Sequence, residues 1–179
     1  MKKLKIIWVI MMACVINIAP VFGQSASKKN KIIADSKTAK VEFIKADGLM
    51  KGLFEKAYGY VIFPNVGKAG LGIGGAAGNG AVYEHNELAG MAKLSQLSIG
   101  FQAGGQAYRE VIFFESKKDM ERFKDSQFEF SAQASAVAAT AGASANVKYA
   151  EGVMVFTMQK GGLMYEASVG GQKFKFNKL

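Results

Sequence analysis

Two periods of hydrophobic spacing divide the chain. Residues 31–46, KIIADSKTAKVEFIKA, place apolar side chains at helical intervals. Ile33, Val41 and Ile44 fall on one side, and Ile32, Ala39 and Phe43 widen it into a broad arc. Lys37 and Lys40 project from within that arc, whereas Lys31, Glu42 and Lys45 lie opposite. Asp47-Gly48 breaks the pattern, and Leu49–Ala57 predicts a second short helix with Leu49, Met50, Leu53 and Phe54 as its apolar residues. From Tyr58 the period shortens to that of strands. Tyr58–Phe63 is β-branched and aromatic, Pro64-Asn65 predicts a turn, and Ala69–Gly75 alternates Leu and Ile with glycine. Gly78-Asn79-Gly80 predicts a second turn leading into Ala81–Glu84, and the polar stretch Glu84–Glu87 predicts another.

Leu88–Leu94 is a weaker strand pattern. Leu97, Ile99, Phe101 and Ala103 then alternate with Ser98, Gly100, Gln102 and Gly104, which predicts a half-buried strand with a small-residue outer face. Tyr108–Glu115 is a further strand. Ser116 is placed to cap a helix, SKKDMERFKD, with Asp119 at its third position and Met120 and Phe123 as its buried side. Phe128, Phe130 and Ala132 alternate with polar residues, and the Ala, Ser, Gly and Thr of Ala132–Ala145 argue for tightly packed small-residue strands. Residues 151–160 and 163–169 read as a hairpin turned by Gly161-Gly162. Gly170-Gly171 makes the last turn before Gln172–Asn177, where Phe174 and Phe176 alternate with Lys173 and Lys175. The expected class is α+β: N-terminal helices packed on a Gly-rich antiparallel β-sandwich or barrel-like sheet, with one inserted helix.

Glycine supplies six of the twelve residues Gly67–Gly78, inside a pattern that still alternates like a strand. Interior glycine weakens a strand, so it persists where a backbone, ligand or membrane approaches closely, or where the strand bends. On this reading Gly70, Gly72, Gly74, Gly75, Gly100, Gly104, Gly161 and Gly162 are structural glycines. Gly70, Gly72 and Gly75 also match G-x-G-x-x-G by spacing. The dinucleotide fingerprint requires a helix to open at the third glycine, and Ala76-Ala77-Gly78-Asn79-Gly80 is no helix start.

The rest of the composition narrows the chemistry. Lys2, Lys3 and Lys5, the uncharged run Ile6–Ala19 and the small residues before Gln24 read as a secretory signal over residues 1–23. A competing reading makes Met11-Met12-Ala13-Cys14 a lipoprotein box with Cys14 acylated. Residues 24–30 then form a polar linker, and 31–179 one domain. Loss of 1–23 removes three lysines and the only cysteine, lowering the formal charge from +9 to +6. An exported, thiol-free domain has no disulfide framework, thiolate chemistry or cysteine metal site. The single histidine, His85, sits in a turn beside Glu84 and Glu87, too few ligands for a metal site, and no Ser stands in a G-x-S-x-G elbow. No cofactor, metal or enzymatic activity is expected. Export also removes nucleic acid as a partner, and Lys173-Phe174-Lys175-Phe176 reads as a strand with Phe inward and Lys outward.

Four blocks, in order, resemble the SYLF domain family, lipid-binding domains found in endocytic actin regulators, plant proteins and secreted bacterial proteins. The first is Ala57-Tyr58-Gly59-Tyr60-Val61-Ile62-Phe63-Pro64, followed by Lys68-Ala69-Gly70 and Gly72-Ile73-Gly74-Gly75. The second is Leu97–Gln106 with the strand Glu110–Phe114. The third is the small-residue stretch Ser131–Ala145, and the fourth is Gly161–Gly171. The resemblance implies an α+β domain that binds membrane lipid through a surface including an N-terminal amphipathic helix, here residues 31–46. Candidate lipid-binding residues are therefore Lys31, Ile33, Lys37, Lys40, Val41, Phe43, Ile44 and Lys45. A bland alternative packs the same helix on the sheet with its lysine heads in water. A signal peptide separates this chain from actin and cytosolic phosphoinositides, so envelope phospholipid is the expected partner. A structural or protein-interaction module of the envelope is the other function class.

Overall fold

A computed structural model describes residues 21–126, 128–131, 135–160 and 166–179. The chain divides into two compact units, Met1–Asn30 and Lys31–Leu179, and the sheet and its cores belong to the second. Residues 1–20, which hold most of the expected signal sequence and Cys14, fall outside the described residues. Helix α1 is Val21–Ala46, so Gln24–Asn30, expected as a linker, is helical. Ala, Ser and Lys carry no strong helix penalty there, and no glycine or proline intervenes between Gln24 and Asp47-Gly48. Helix α2 is Met50–Lys56.

Strands β1 (Gly59–Glu84) and β2 (Glu87–Phe114) form one antiparallel hairpin, paired from Gly59↔Phe114 to Glu84↔Glu87. His85 and Asn86 turn it, both with positive φ (50° and 66°), the geometry of a two-residue hairpin turn. The turns expected at Pro64-Asn65 and Gly78–Gly80 do not end strands. The ladder absorbs the first as a register shift between Phe63 and Val66, and continues through the second.

A straight strand of 26 residues would run roughly 85 Å at the usual rise. Strand β1 instead doubles back on itself. A Cβ built on Gly59 would stand 2.8 Å from the Tyr83 carbonyl oxygen, one on Gly78 3.1 Å from that of Asn65, and one on Gly80 2.5 Å from that of Ile62. His85 N–H donates to the Tyr58 carbonyl at 3.1 Å, closing the fold-back. Close backbone approach is what these glycines permit.

Helix α3 is Lys117–Lys124, capped by Ser116 as its sequence predicts. The Ser116 hydroxyl accepts from Asp119 N–H and donates to Asp119 Oδ2 at 2.5 Å. Strands β3 (Ser135–Ala138), β4 (Val153–Gln159), β5 (Glu166–Ser168) and β6 (Gln172–Lys178) complete the sheet. Its order is β1-β2-β4-β3-β5, with β6 also on β2. Thus β2 carries β1 on one side, and on the other β4 (along 108–114) and β6 (along 90–96).

The α+β class stands, with a mixed, unclosed sheet in place of a purely antiparallel one: β3 lies parallel to β4. A parallel pair needs a crossover, and residues 139–152, with a 3-10 turn at Ala143–Asn146, supply it. The expected 151–160/163–169 hairpin does not form among the described residues, because β3 lies between β4 and β5. Gly161 and Gly162 lie outside the described residues.

Both faces of the sheet are buried where β1 begins. Val61 and Phe63 enter one core with Ile112, Phe114, Phe123 and Phe174. Tyr60 and Ile62 enter a second, beneath the helices, with Phe43, Met50, Phe54, Phe113 and Phe156.

Candidate functional site

Helix α1 is docked by the face the sequence left ambiguous. Ala39 and Phe43 are fully buried in the helix-side core, and Ile33 and Ile44 pack partly against it. The Ser36 hydroxyl donates to the Ile62 carbonyl at 3.3 Å, fixing the helix to β1. Phe43 is thus a core residue and unavailable for insertion into a bilayer, which corrects its place among the candidates.

Lys40 needs the same correction. Its ammonium donates to the Tyr60 hydroxyl (2.9 Å) and to Asn86 Oδ1 (3.0 Å), and lies 4.8 and 4.9 Å from the ring centres of Phe54 and Tyr60. Burial lowers its pKa, with Glu55 partly opposing. Burial likewise raises the Tyr60 hydroxyl well above its ordinary value. Lys40 therefore clamps α1 to the β1–β2 turn. Sequence reasoning missed this clamp because its partners stand 20 and 46 residues downstream. It also missed Asp47, which accepts from Leu49 N–H (3.1 Å) and Ser144 N–H (2.8 Å) and ties the helix junction to the 3-10 turn. Burial would raise the Asp47 carboxyl, but these hydrogen bonds prevail and hold it below its ordinary value.

The opposite face of α1 is open. Lys37, Val41 and Lys45 follow one another at successive turns, with Ala34 and Thr38 beside them, all exposed. Val41 is 66% exposed, and Leu49, just past the helix, 56%. Lys31 is also exposed and pairs with Asp35 at 3.0 Å. The surface is a cationic stripe with Val41 set into it and Leu49 exposed past the end of the helix.

The glycines expected to be structural divide in two. Gly70 stands opposite Gly104, Gly72 opposite Gly100, Gly74 opposite Ser98 and Gly75 opposite Leu97 in the hairpin ladder. A Cβ on Gly75 would lie 3.1 Å from the Gln96 carbonyl oxygen. Tighter approaches are found at Gly59, Gly80, Gly90 and Gly152, which are not among those eight glycines.

Groups with chemistry are engaged structurally. His85 is exposed, its ring edge-on to Tyr58 at 4.4 Å. Glu84 accepts from the Tyr58 hydroxyl at 2.8 Å and pairs with Lys124, which lowers its pKa. Glu110 is fully buried and accepts from Gln172 Nε2 at 3.0 Å. Burial pushes its carboxyl up to about 8, with the Gln172 hydrogen bond opposing. Among the described residues no group of three or more His, Cys, Asp or Glu could hold a metal ion, and no helix is long and apolar enough to cross a membrane.

This architecture defines an α+β domain with α1 and α2 layered on one face of a glycine-rich sheet and α3 in the core of the other. Residues 95–178 match the family model described as "Ysc84: Las17-binding protein actin regulator". Over 146 residues, 79% of its length, the chain is also 28% identical to "Beta cell expansion factor A" of Aeromonas veronii. It spans about half, 54%, of that relative. Both matches are to the SYLF family that the four sequence blocks resemble, which is not a known enzyme family.

Proposed function

We propose that this protein is an exported, non-enzymatic lipid-binding domain that docks peripherally on anionic phospholipid. The observation that carries the reading is the solvent-facing stripe Lys37–Val41–Lys45 with Leu49 beyond it: cations flanking exposed apolar side chains on an otherwise docked helix. A lysine near an anionic bilayer contributes on the order of 1 kcal/mol, and the apolar tips add shallow insertion. The likeness to the SYLF family supports the non-enzymatic character, and the signal-like residues 1–23 support export. The family description names Las17 binding and actin regulation. A chain exported from a bacterium meets neither, so envelope phospholipid is the partner we assign.

Co-sedimentation with vesicles of rising anionic fraction tests this reading. Binding should rise with anionic content and fall with salt. Lys37→Glu with Lys45→Glu should weaken it by at least about thirtyfold, the equivalent of losing two such contacts. Equal pelleting with purely zwitterionic vesicles would reject the electrostatic part. Failure to bind any lipid, with stoichiometric co-purification of one envelope protein, would favour the protein-interaction alternative.

A further inference from the structure

We infer that the outward face of the β1–β2–β6 ribbon is a second contact for the same anionic lipid surface, a reading that rests on the lipid-binding function proposed above. The register assembles this face from segments far apart in sequence. Lys93 stands opposite Lys175 of β6 and Asn79 of β1, and Ser95 stands opposite Lys173 and Ala77. Leu97, two residues further, stands opposite Gly75. Lys93, Ser95, Leu97, Ala77, Asn79, Lys173 and Lys175 are all exposed, and Leu97 reaches 74%. The residues between them on β2 and β6, Leu94, Gln96 and Phe174, point inward and are buried. Glu129 pairs with Lys173 at 3.4 Å, which leaves Lys93 and Lys175 without an acidic partner among the described ion pairs.

Two observations separate this face from ordinary surface. Lysines on edge strands commonly discourage edge-to-edge pairing, but Lys93 lies on β2, flanked on both sides by β1 and β6. Edge protection also leaves unexplained a leucine at this exposure, with Gly75, Ala77 and Ser95 as its neighbours on the face. The second observation is placement. Ala81 shares the pleat face of Asn79 and Ala77 and is buried beneath the helices. The lysine face thus begins where helix cover ends, on the same side of the sheet as α1. A cationic surface with one projecting leucine fits an anionic bilayer by charge, with Leu97 reaching the acyl boundary.

The experiment uses Leu97 as a reporter. The chain's only tryptophan is Trp8, so Trp8→Phe with Leu97→Trp leaves one fluorophore, at the centre of the face. With vesicles containing anionic phospholipid, its emission should shift to the blue and be quenched by brominated acyl chains. Separately, Lys93→Glu with Lys175→Glu should weaken vesicle binding about tenfold or more at unchanged melting temperature. Water-like emission from a protein that pellets with the vesicles would overturn the ribbon contact while leaving the α1 reading intact. Absence of pelleting with any anionic vesicle would overturn both. A blue shift that follows protein concentration without vesicles would replace the bilayer with a second copy of the chain, and would likewise overturn it.

Discussion

Phe43 and Val41 stand two residues apart on α1 and report opposite environments, so a matched pair of substitutions tests the orientation of the whole helix. Phe43 is fully buried beside Phe54, Tyr60, Phe113 and Phe156, whereas Val41 is 66% exposed. Truncating a buried Phe to Ala removes its transfer free energy and leaves a cavity, which together cost about 3–5 kcal/mol. For a domain of this size each kcal/mol moves the melting temperature by roughly 2–4 °C. Phe43→Ala should therefore lower it by about 6–20 °C, and shift the urea midpoint with little change in slope. Val41→Asp removes no buried contact and should stay within about 0.5 kcal/mol of the parent. The same Val41→Asp change places an acid between Lys37 and Lys45, and should weaken pelleting with anionic vesicles about tenfold. Circular-dichroism melts and co-sedimentation on the two variants read both outcomes. If Phe43→Ala left the melting temperature within about 2 °C and abolished lipid binding, the helix would be docked by the wrong face in this account.

Gly80→Ala would drive a methyl group to 2.5 Å from the Ile62 carbonyl oxygen and 2.8 Å from the Phe63 ring. The fold-back of β1 should then loosen, with about 1–3 kcal/mol or more lost in denaturant titration. Ser116→Ala removes the α3 cap and should cost about 0.5–2 kcal/mol, while Lys118→Ala on the exposed face of the same helix should be nearly neutral. Glu110 makes stability depend on pH. Its folded pKa, about 8, lies above the ordinary carboxyl value of 4.5, so the folded state holds the proton more tightly than the unfolded chain. That contribution is complete below about 4.5 and is lost as pH rises towards 8, with a slope of up to about 1.4 kcal/mol per pH unit. Glu110→Gln should flatten this window in urea titrations. An unchanged slope would place the charged carboxylate in water. Glu84 works in the opposite sense: its pKa is lowered by Lys124, so its contribution disappears only as pH falls below the ordinary carboxyl range.

The local elements of this fold are legible in the sequence wherever a short-range pattern decides them. The α3 cap needs only Ser116 and Asp119, and the hairpin turn needs only residues that tolerate positive φ between two apolar runs. What eludes a linear reading is set by pairings across the chain. Pro64-Asn65 carries turn composition, yet the ladder resumes at Val66↔Tyr108 because β2 continues opposite it. Ala132–Ala145 has too little apolar contrast to show a period, so the parallel β3–β4 pair and its crossover leave no mark there.

The candidate surface obeys the same rule. Helical spacing put Lys40 and Phe43 on the apolar arc of α1, and they do face the same way; whether that arc meets a bilayer or a sheet depends on Tyr60, Asn86 and Phe113, which spacing within the helix cannot supply. Once the sheet takes part of the arc, the lysines left for an external partner are Lys37, which the periodicity placed within the arc, and Lys45, which it placed opposite. The lysine alternation of residues 172–177 was visible, but its pairing with Lys93 was not, because register between strands about 80 residues apart is written only in the folded sheet. A peptide spanning residues 31–46 alone, with Phe43 and Ile44 freed from the core, would bind membranes by a face that the folded protein does not present.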